Sequence, residues 1–173
     1  MTTLNGDFVS PSILSGMDAG QGMVSVLNQL PISHCCLGNH EADIKLDQLV
    51  ERTLEFGGKW LNSNIPSLVC HSSPYDLVRV TTDDGQSVLV GVIGLLTSET
   101  GTFRNDKFRG IPIDDTIEAA GRWSRVLRDE HGVEAIIALT HQSIHADEAL
   151  AASGHVDLIL GGLARRERTL MIP

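Results

Sequence analysis

An α/β architecture with a largely parallel sheet is what this sequence predicts, and three observations carry that reading. Short apolar runs alternate with segments of helical periodicity, the pattern of strand–helix–strand units. An Asp84-Gly85 pair between two such runs marks a hairpin, which adds an antiparallel part. Several apolar runs end in polar side chains, as strands do at the carboxyl edge of an open α/β sheet.

Taken in order, Thr2-Thr3-Leu4 reads as the stub of a strand that ends at Gly6-Asp7. Pro11 disfavours helix at Ser10, so the chain turns away there. Met23, Val24, Val26, Leu27 and Leu30 fall at helical spacing, predicting a helix over roughly 18–29 that Pro31 ends. Ile32 to Leu37 is a short apolar strand. Leu46, Leu49, Val50, Thr53 and Leu54 form an amphipathic stripe, and Gly57-Gly58 stops that helix. Trp60 to Asn64 reads as a strand. Asp76 to Thr82 and Gln86 to Leu95 are the two arms of the hairpin, and their Val/Leu/Ile content suits a buried sheet.

Residues 97–112 show no period and are expected to be a loop. Asp114 or Asp115 can cap a helix that runs to about 130, with Ile117, Ala120, Gly121, Ser124 and Leu127 on one face. Val133 to Leu139 is a buried strand ending at Thr140-His141. Ala146 to Ala152 is a short helix, and Val156 to Leu160 is the last strand, ending at Gly161-Gly162. After Gly162 the composition changes to a basic tail, residues 163–173, containing Arg165, Arg166 and Arg168.

The 173 residues suffice for one domain with a substantial core. A net charge of −9 argues against a nucleic-acid surface, which needs a basic stripe. It also repels a phosphorylated small molecule unless cations invert the local field. No apolar run approaches a membrane span, and the first residues lack the basic and apolar regions of a secretory signal. Three cysteines, two of them adjacent, are no disulfide framework, so a reducing, cytoplasmic setting is expected. His34, Cys35, Cys36, Cys70 and His71 lack the ligand spacing of a structural zinc site. No Gly-x-Gly-x-x-Gly or phosphate-binding Gly-x₄-Gly-Lys loop is present, which sets aside a plain nucleotide-binding domain.

Leu37-Gly38-Asn39-His40-Glu41 is the stretch on which function centres. Adjacent side chains on a strand or helix diverge, so only a sharp turn brings Asn39 and His40 to one spot, and Gly38 permits such a turn. Asp7, Asn39-His40-Glu41 and His141 then stand at three strand ends that converge on one crevice. A carboxylate, an amide oxygen and an imidazole suit Mn, Fe, Zn or Mg. Singly, Asp7 reads equally well as a cap, His141 as a core histidine, and the Asn39-His40 turn as a turn without chemistry. Together at three strand ends they point to a metal site.

The blocks Gly6-Asp7-Phe8-Val9-Ser10-Pro11-Ser12, Gly38-Asn39-His40-Glu41-Ala42-Asp43 and Thr140-His141-Gln142 resemble those of the calcineurin-like metallophosphoesterases. Leu61-Asn62-Ser63-Asn64-Ile65 and Val156-Asp157-Leu158-Ile159-Leu160-Gly161-Gly162 are similar to the 5′-nucleotidase-like branch. The resemblance runs from 6 to 162. It implies a mixed β-sandwich flanked by helices (αββα), and a two-metal hydrolase of phosphomonoesters or phosphodiesters with a small, nucleotide-like substrate. It implies that Asp7 bridges two divalent ions (Mn, Zn, Fe, Co or Mg) and that Asn39 and His141 bind the second of them. It implies that His40 faces the phosphate beside Asn39 and assists the leaving group, and that Glu41 orients His40. Two cations would clamp the attacking and leaving oxygens and make hydroxide available near neutral pH.

Two family blocks have no counterpart here. No Asp-x-His precedes Asp7, and Leu163 and Arg165 stand where the family's Gly-Gly-His-x-His places its histidines. One ion would keep Asp7 alone, and the other would keep Asp7, Asn39 and His141. The expectation is a fold incomplete at both ends, a truncated or alternatively spliced form, holding one cation or none. The competing functions are a metal-dependent nucleotide phosphoesterase and a catalytically impaired remnant that binds a ligand or partner.

Overall fold

A computed structural model describes residues 1–81, 83–104, 107–163 and 169–171, with Lys107 and 169–171 described as backbone only. The expected strand end at Thr82 and the arginines Arg165, Arg166 and Arg168 lie outside the described residues.

Two sheets face each other. Parallel strands β1 (Thr3–Asn5), β2 (His34–Cys36) and β3 (Lys59–Leu61) form one. The other runs β4 (Tyr75–Thr81), β5 (Ser87–Leu96), β6 (Ala135–His141), β7 (Leu158–Gly161) and β8 (Thr169–Met171) in that order. Within it β5, β6 and β7 are parallel, whereas β4 and β8 join antiparallel at the two edges. The family-implied sandwich, with helices outside, is the observed architecture.

Strand alternation builds three apolar layers. Cys36 and Leu61 of the small sheet meet Val92 and Leu139 of the large one between the sheets. Ile93, Leu95, Ile136, Ala138 and Ile159 point the other way, onto α4 (Thr116–Arg125) and α5 (Ile144–Ala152). Val24 of α2 (Gln21–Leu27) and Leu49 of α3 (Leu46–Glu55) cover Cys35 and Trp60 on the far side of the small sheet. Gly94 occupies an inward position where a Cβ would collide with the Leu61 backbone, so the sheets approach closely there.

Helix α3 buries Leu49 and Thr53 of its predicted stripe, but Leu54 is exposed and Arg52 is buried instead. Asp115 caps α4 by accepting from the N–H groups of Ile117 and Glu118, and α4 widens into a π-helical turn at Val126–Glu130. The expected helix over 18–29 is broken. A short α1 (Ser15–Asp18) ends at Ala19 and Gly20, both left-handed, and α2 restarts at Gln21. Asp18 stabilises the break, accepting from the N–H groups of Gly20 and Gly22 at 2.9 Å.

The expected strand Trp60–Asn64 stops at Leu61. Beyond it, Asn62 closes a turn onto Ile65, and Asn64 acts as a backbone surrogate. The Asn64 amide accepts from Leu96 N–H (3.0 Å) and donates to the Leu96 carbonyl (2.7 Å). This motif stitches the small sheet to β5. Among the described residues, 97–112 hold a short 3₁₀ turn at Thr100–Thr102 and a left-handed turn within Lys107–Gly110. In the expected basic tail, β8 adds an antiparallel edge to β7. Among the described residues no helix is long and apolar enough to cross a membrane.

The two sheets are also tied by charge. Asp76 on β4 accepts from Lys59 Nζ (2.6 Å) and lies 2.9 Å from His34 Nε2, both on the other sheet. Burial opposes its ionisation, but the Lys59 and His34 hydrogen bonds outweigh it and hold the carboxyl below the ordinary aspartate value. A depressed carboxyl contributes stability above its unfolded pKa and loses it as pH falls through the folded value. Asp76→Asn is expected to cost about 1 kcal/mol at pH 7. In urea unfolding the gap to the parent should narrow below about pH 4.

Candidate active site

The site lies where β1, β2 and β6 end. After β1, Gly6 and Asp7 both adopt left-handed backbone (φ 78 and 58) and reverse the chain. Aspartate tolerates this conformation better than most residues, yet such a backbone stores roughly 1–3 kcal/mol unless neighbours hold it. Phe8 and Val9, which follow, are buried, and Phe8 stacks on Trp60 with ring centroids 4.8 Å apart. After β2, residues Asn39–Asp43 form a 3₁₀ turn. Gly38 itself is extended (φ −109), so the turn does not need its dihedral freedom. It needs the missing side chain: a Cβ at Gly38 would run into the Asp7 carboxylate and backbone.

One carboxylate joins the two loops. Glu41 is fully buried (0% exposed), and four backbone N–H groups donate to it. Oε2 accepts from Asp7 (2.8 Å) and Gly38 (2.6 Å), and Oε1 from Phe8 and Val9 (3.0 Å each). Burial pushes its carboxyl above the usual glutamate value while the N–H donors pull the other way. With both oxygens taken by backbone, Glu41 does not serve as the partner of His40 that the resemblance implies. Asp43 does, with its Oδ2 2.7 Å from His40 Nδ1. The spacing of three residues in one 3₁₀ turn is the signal that could have revealed Asp43, since i and i+3 eclipse there.

The three expected ligands meet. His141 Nε2 lies 3.0 Å from Asp7 Oδ2 and 3.1 Å from Asn39 Oδ1. The remaining polar atoms of the three are engaged elsewhere. Asp7 Oδ1 accepts from His40 N–H (2.9 Å), and Asn39 Nδ2 donates to the Thr102 carbonyl (2.9 Å). His141 Nδ1 donates to the Asn5 carbonyl (2.6 Å), a group that only accepts. That bond places the proton of neutral His141 on Nδ1 and aims the Nε2 lone pair at two oxygens. Three electron-pair donors on one point demand either a proton or a cation. Burial lowers the His141 pKa, but the hydrogen bond and charge of Asp7 override it and raise it. Burial likewise works against ionisation of Asp7, yet His141 holds its carboxyl below the ordinary value. This donor set fits one divalent ion. Among the described residues no three His, Cys, Asp or Glu side chains gather in a way that could hold a metal, so the set depends on the Asn39 amide.

The sequence matches the family model of calcineurin-like phosphoesterases over residues 2–162. The chain belongs to the calcineurin-like phosphoesterase family. It is 31% identical over 140 residues to a 5′-nucleotidase of Vibrio vulnificus, covering 73% of this chain and 25% of that protein. It is 29% identical over 170 residues to a snake venom 5′-nucleotidase of Gloydius brevicauda, covering 91% and 27%. The crystal structure of the calcineurin-like phosphoesterase YfkN from Bacillus subtilis superposes with a TM-score of 0.76 at 25% identity, over 93% of this chain and 57% of that one. The chain thus spans about a quarter of the length of these two nucleotidases. In this chain, of the 5′-nucleotidase-like branch, the Gly-Asp and Gly-Asn-His-Glu blocks lie in the loops after β1 and β2, and the Thr-His block ends β6.

Glu41→Gln keeps one acceptor and turns an amide N–H₂ toward the other two donors. Stranding two buried N–H groups at roughly 1–3 kcal/mol each should lower unfolding stability by about 3 kcal/mol, read from chemical denaturation.

Proposed function

We propose that this chain is a divalent-metal-dependent phosphoester hydrolase acting on nucleotide-like phosphomonoesters, with one cation held by Asp7, Asn39 and His141. The convergence of Asp7 Oδ2, Asn39 Oδ1 and His141 Nε2 carries this reading. The 5′-nucleotidase relatives support a nucleotide-like substrate. When bound, a divalent cation supplies positive charge for a phosphoryl oxygen and acidifies water toward neutral pH.

The chain's own residues do the rest. Asp43 accepts from His40 Nδ1–H, which leaves Nε2 as the working nitrogen. His40 in its protonated form donates from Nε2 to the leaving oxygen, and Asp43 stabilises that charge. The His40 N–H holds Asp7 Oδ1, so the residue that gives the proton also orients a ligand. Asn39 turns its carbonyl oxygen inward because Thr102 takes its N–H₂. Glu41 is a positioning residue: it fixes both loops and touches no substrate.

The purified chain with Mn²⁺ or Co²⁺ should release phosphate from nucleoside monophosphates. His40→Ala should lower kcat by about 10²–10⁴. Asn39→Ala should raise the half-saturating Mn²⁺ concentration by about 10-fold or more. No release above background, with no effect of Asn39→Ala, would contradict the reading. A second reading, a ligand-binding remnant, is favoured by the reliance on three donors where the family holds two ions. Metal analysis separates them: one ion per chain is expected for the hydrolase, and none for the remnant.

A further inference from the structure

Exposed apolar side chains are concentrated on one helical layer. Among the described residues ten large ones are exposed, and six of these lie between Ile13 and Leu30: Ile13, Leu14, Met17, Met23, Val26 and Leu30. Helical spacing sets them in two rows, because residues three and four apart are neighbours on a helix. Positions 13, 14 and 17 share a side of α1 and the turn that opens it, and 23, 26 and 30 share a side of α2 and the turn that follows it. The rows adjoin: Leu14 Cδ2 stands 3.1 Å from where a Cβ on Gly22 would be. Val24 and Leu27 of α2 are spent on the core, so the exposed row is not left over from a helix that lacks a buried side.

Charge avoids this layer. The chain carries 22 acidic and 13 basic residues, yet between Phe8 and Ser33 the only charged one is Asp18. Asp18 is occupied: its carboxylate accepts from the N–H groups of Gly20 and Gly22, and its carbonyl accepts from Arg52 Nη1. The exposed polar neighbours Ser12, Gln21, Ser25 and Gln29 are neutral. No Lys or Arg precedes Lys45. A helix that lies on a lipid surface carries Lys or Arg beside its apolar face, so a membrane does not suit this one. A basic partner would be drawn to the acidic remainder of the molecule and not to its neutral face. A surface as apolar and uncharged as this one does fit, since loss of charge and enrichment in methionine mark the centre of a protein interface. Two copies with a net charge of −9 repel wherever their acidic surfaces meet. On this layer they can touch with no like charges opposed.

We propose that the α1–α2 layer is the contact between two copies of this chain, paired about a two-fold axis with the same face on both sides. Such a contact is self-complementary and closes at two copies. It needs no pattern of opposite charges, which a neutral face could not supply. The proposal stands apart from the hydrolase reading, because none of the six side chains belongs to the ligand set or to His40.

Sedimentation equilibrium of the full chain, from about 1 μM to about 100 μM, tests this. The mass should rise with concentration from 18.7 kDa to twice that value and stop there. Raising NaCl from about 0.05 M to about 0.5 M should tighten the pairing about 3-fold or more, because salt screens the repulsion between acidic copies while the contact itself holds no charge. At the higher salt, Met17→Glu/Val26→Glu should weaken pairing by about 10-fold or more, since it carries like charges into the facing surfaces. Val69→Glu/Val80→Glu adds the same charge at exposed apolar side chains outside the layer and should pair like the parent. Circular dichroism and Tm confirm that each variant is folded. A parent that stays at the single-chain mass overturns the proposal, as does a mass that grows past two copies. An unaffected Met17/Val26 variant, an equal loss in the control, or pairing that salt weakens overturns it too.

Discussion

A single buried carboxylate, that of Glu41, holds the working end of this molecule together. Four backbone N–H groups from two loops about thirty residues apart in sequence converge on its two oxygens. In a low-dielectric interior such bonds are stronger than in water, and their loss strands every donor. Glu41 also makes the left-handed backbone at Asp7 tenable, because the N–H groups of Asp7, Phe8 and Val9 are all taken by one acceptor. Gly38 must be glycine for the same reason: the loops touch, and no side chain fits between them.

With that frame in place, the ligands need little freedom of their own. Each of the three spends its other polar atom on a fixed partner: Asp7 on His40 N–H, Asn39 on the Thr102 carbonyl, His141 on the Asn5 carbonyl. Such outer bonds orient ligands and raise their basicity. What is left is a small region of excess negative charge in a protein that is already acidic. A cation there relieves that imbalance and makes phosphate welcome where the bare surface repels it.

Much of this was legible in the sequence. The Leu49 and Thr53 face of α3, the Asp115 cap and the Asp84-Gly85 hairpin are local signals, and local signals survive folding. The convergence of Asp7, Asn39 and His141 was readable because each stands at the carboxyl end of a strand, although β1 and β2 belong to one sheet and β6 to the other. What was not legible depends on distant neighbours. Three of the four partners of Glu41 lie on the loop after β1, more than thirty residues away, so its adjacency to His40 was a misleading guide. Asn64 reads as strand until Leu96 is seen to take both its amide atoms. The apolar spacing of 18–29 hides the Ala19-Gly20 break, because hydrophobic periodicity does not report backbone sign. Nothing in the sequence marks His34 as a partner of Asp76; only the facing sheet shows the pair.

Native-state hydrogen exchange at four amides addresses the Glu41 frame most directly. If the carboxylate locks both loops, the N–H groups of Gly38, Asp7, Phe8 and Val9 should exchange only on global unfolding, as slowly as those of Ile137 and Leu139 in β6. Exchange of those four at the rate of exposed turns, with β6 still protected, would contradict it.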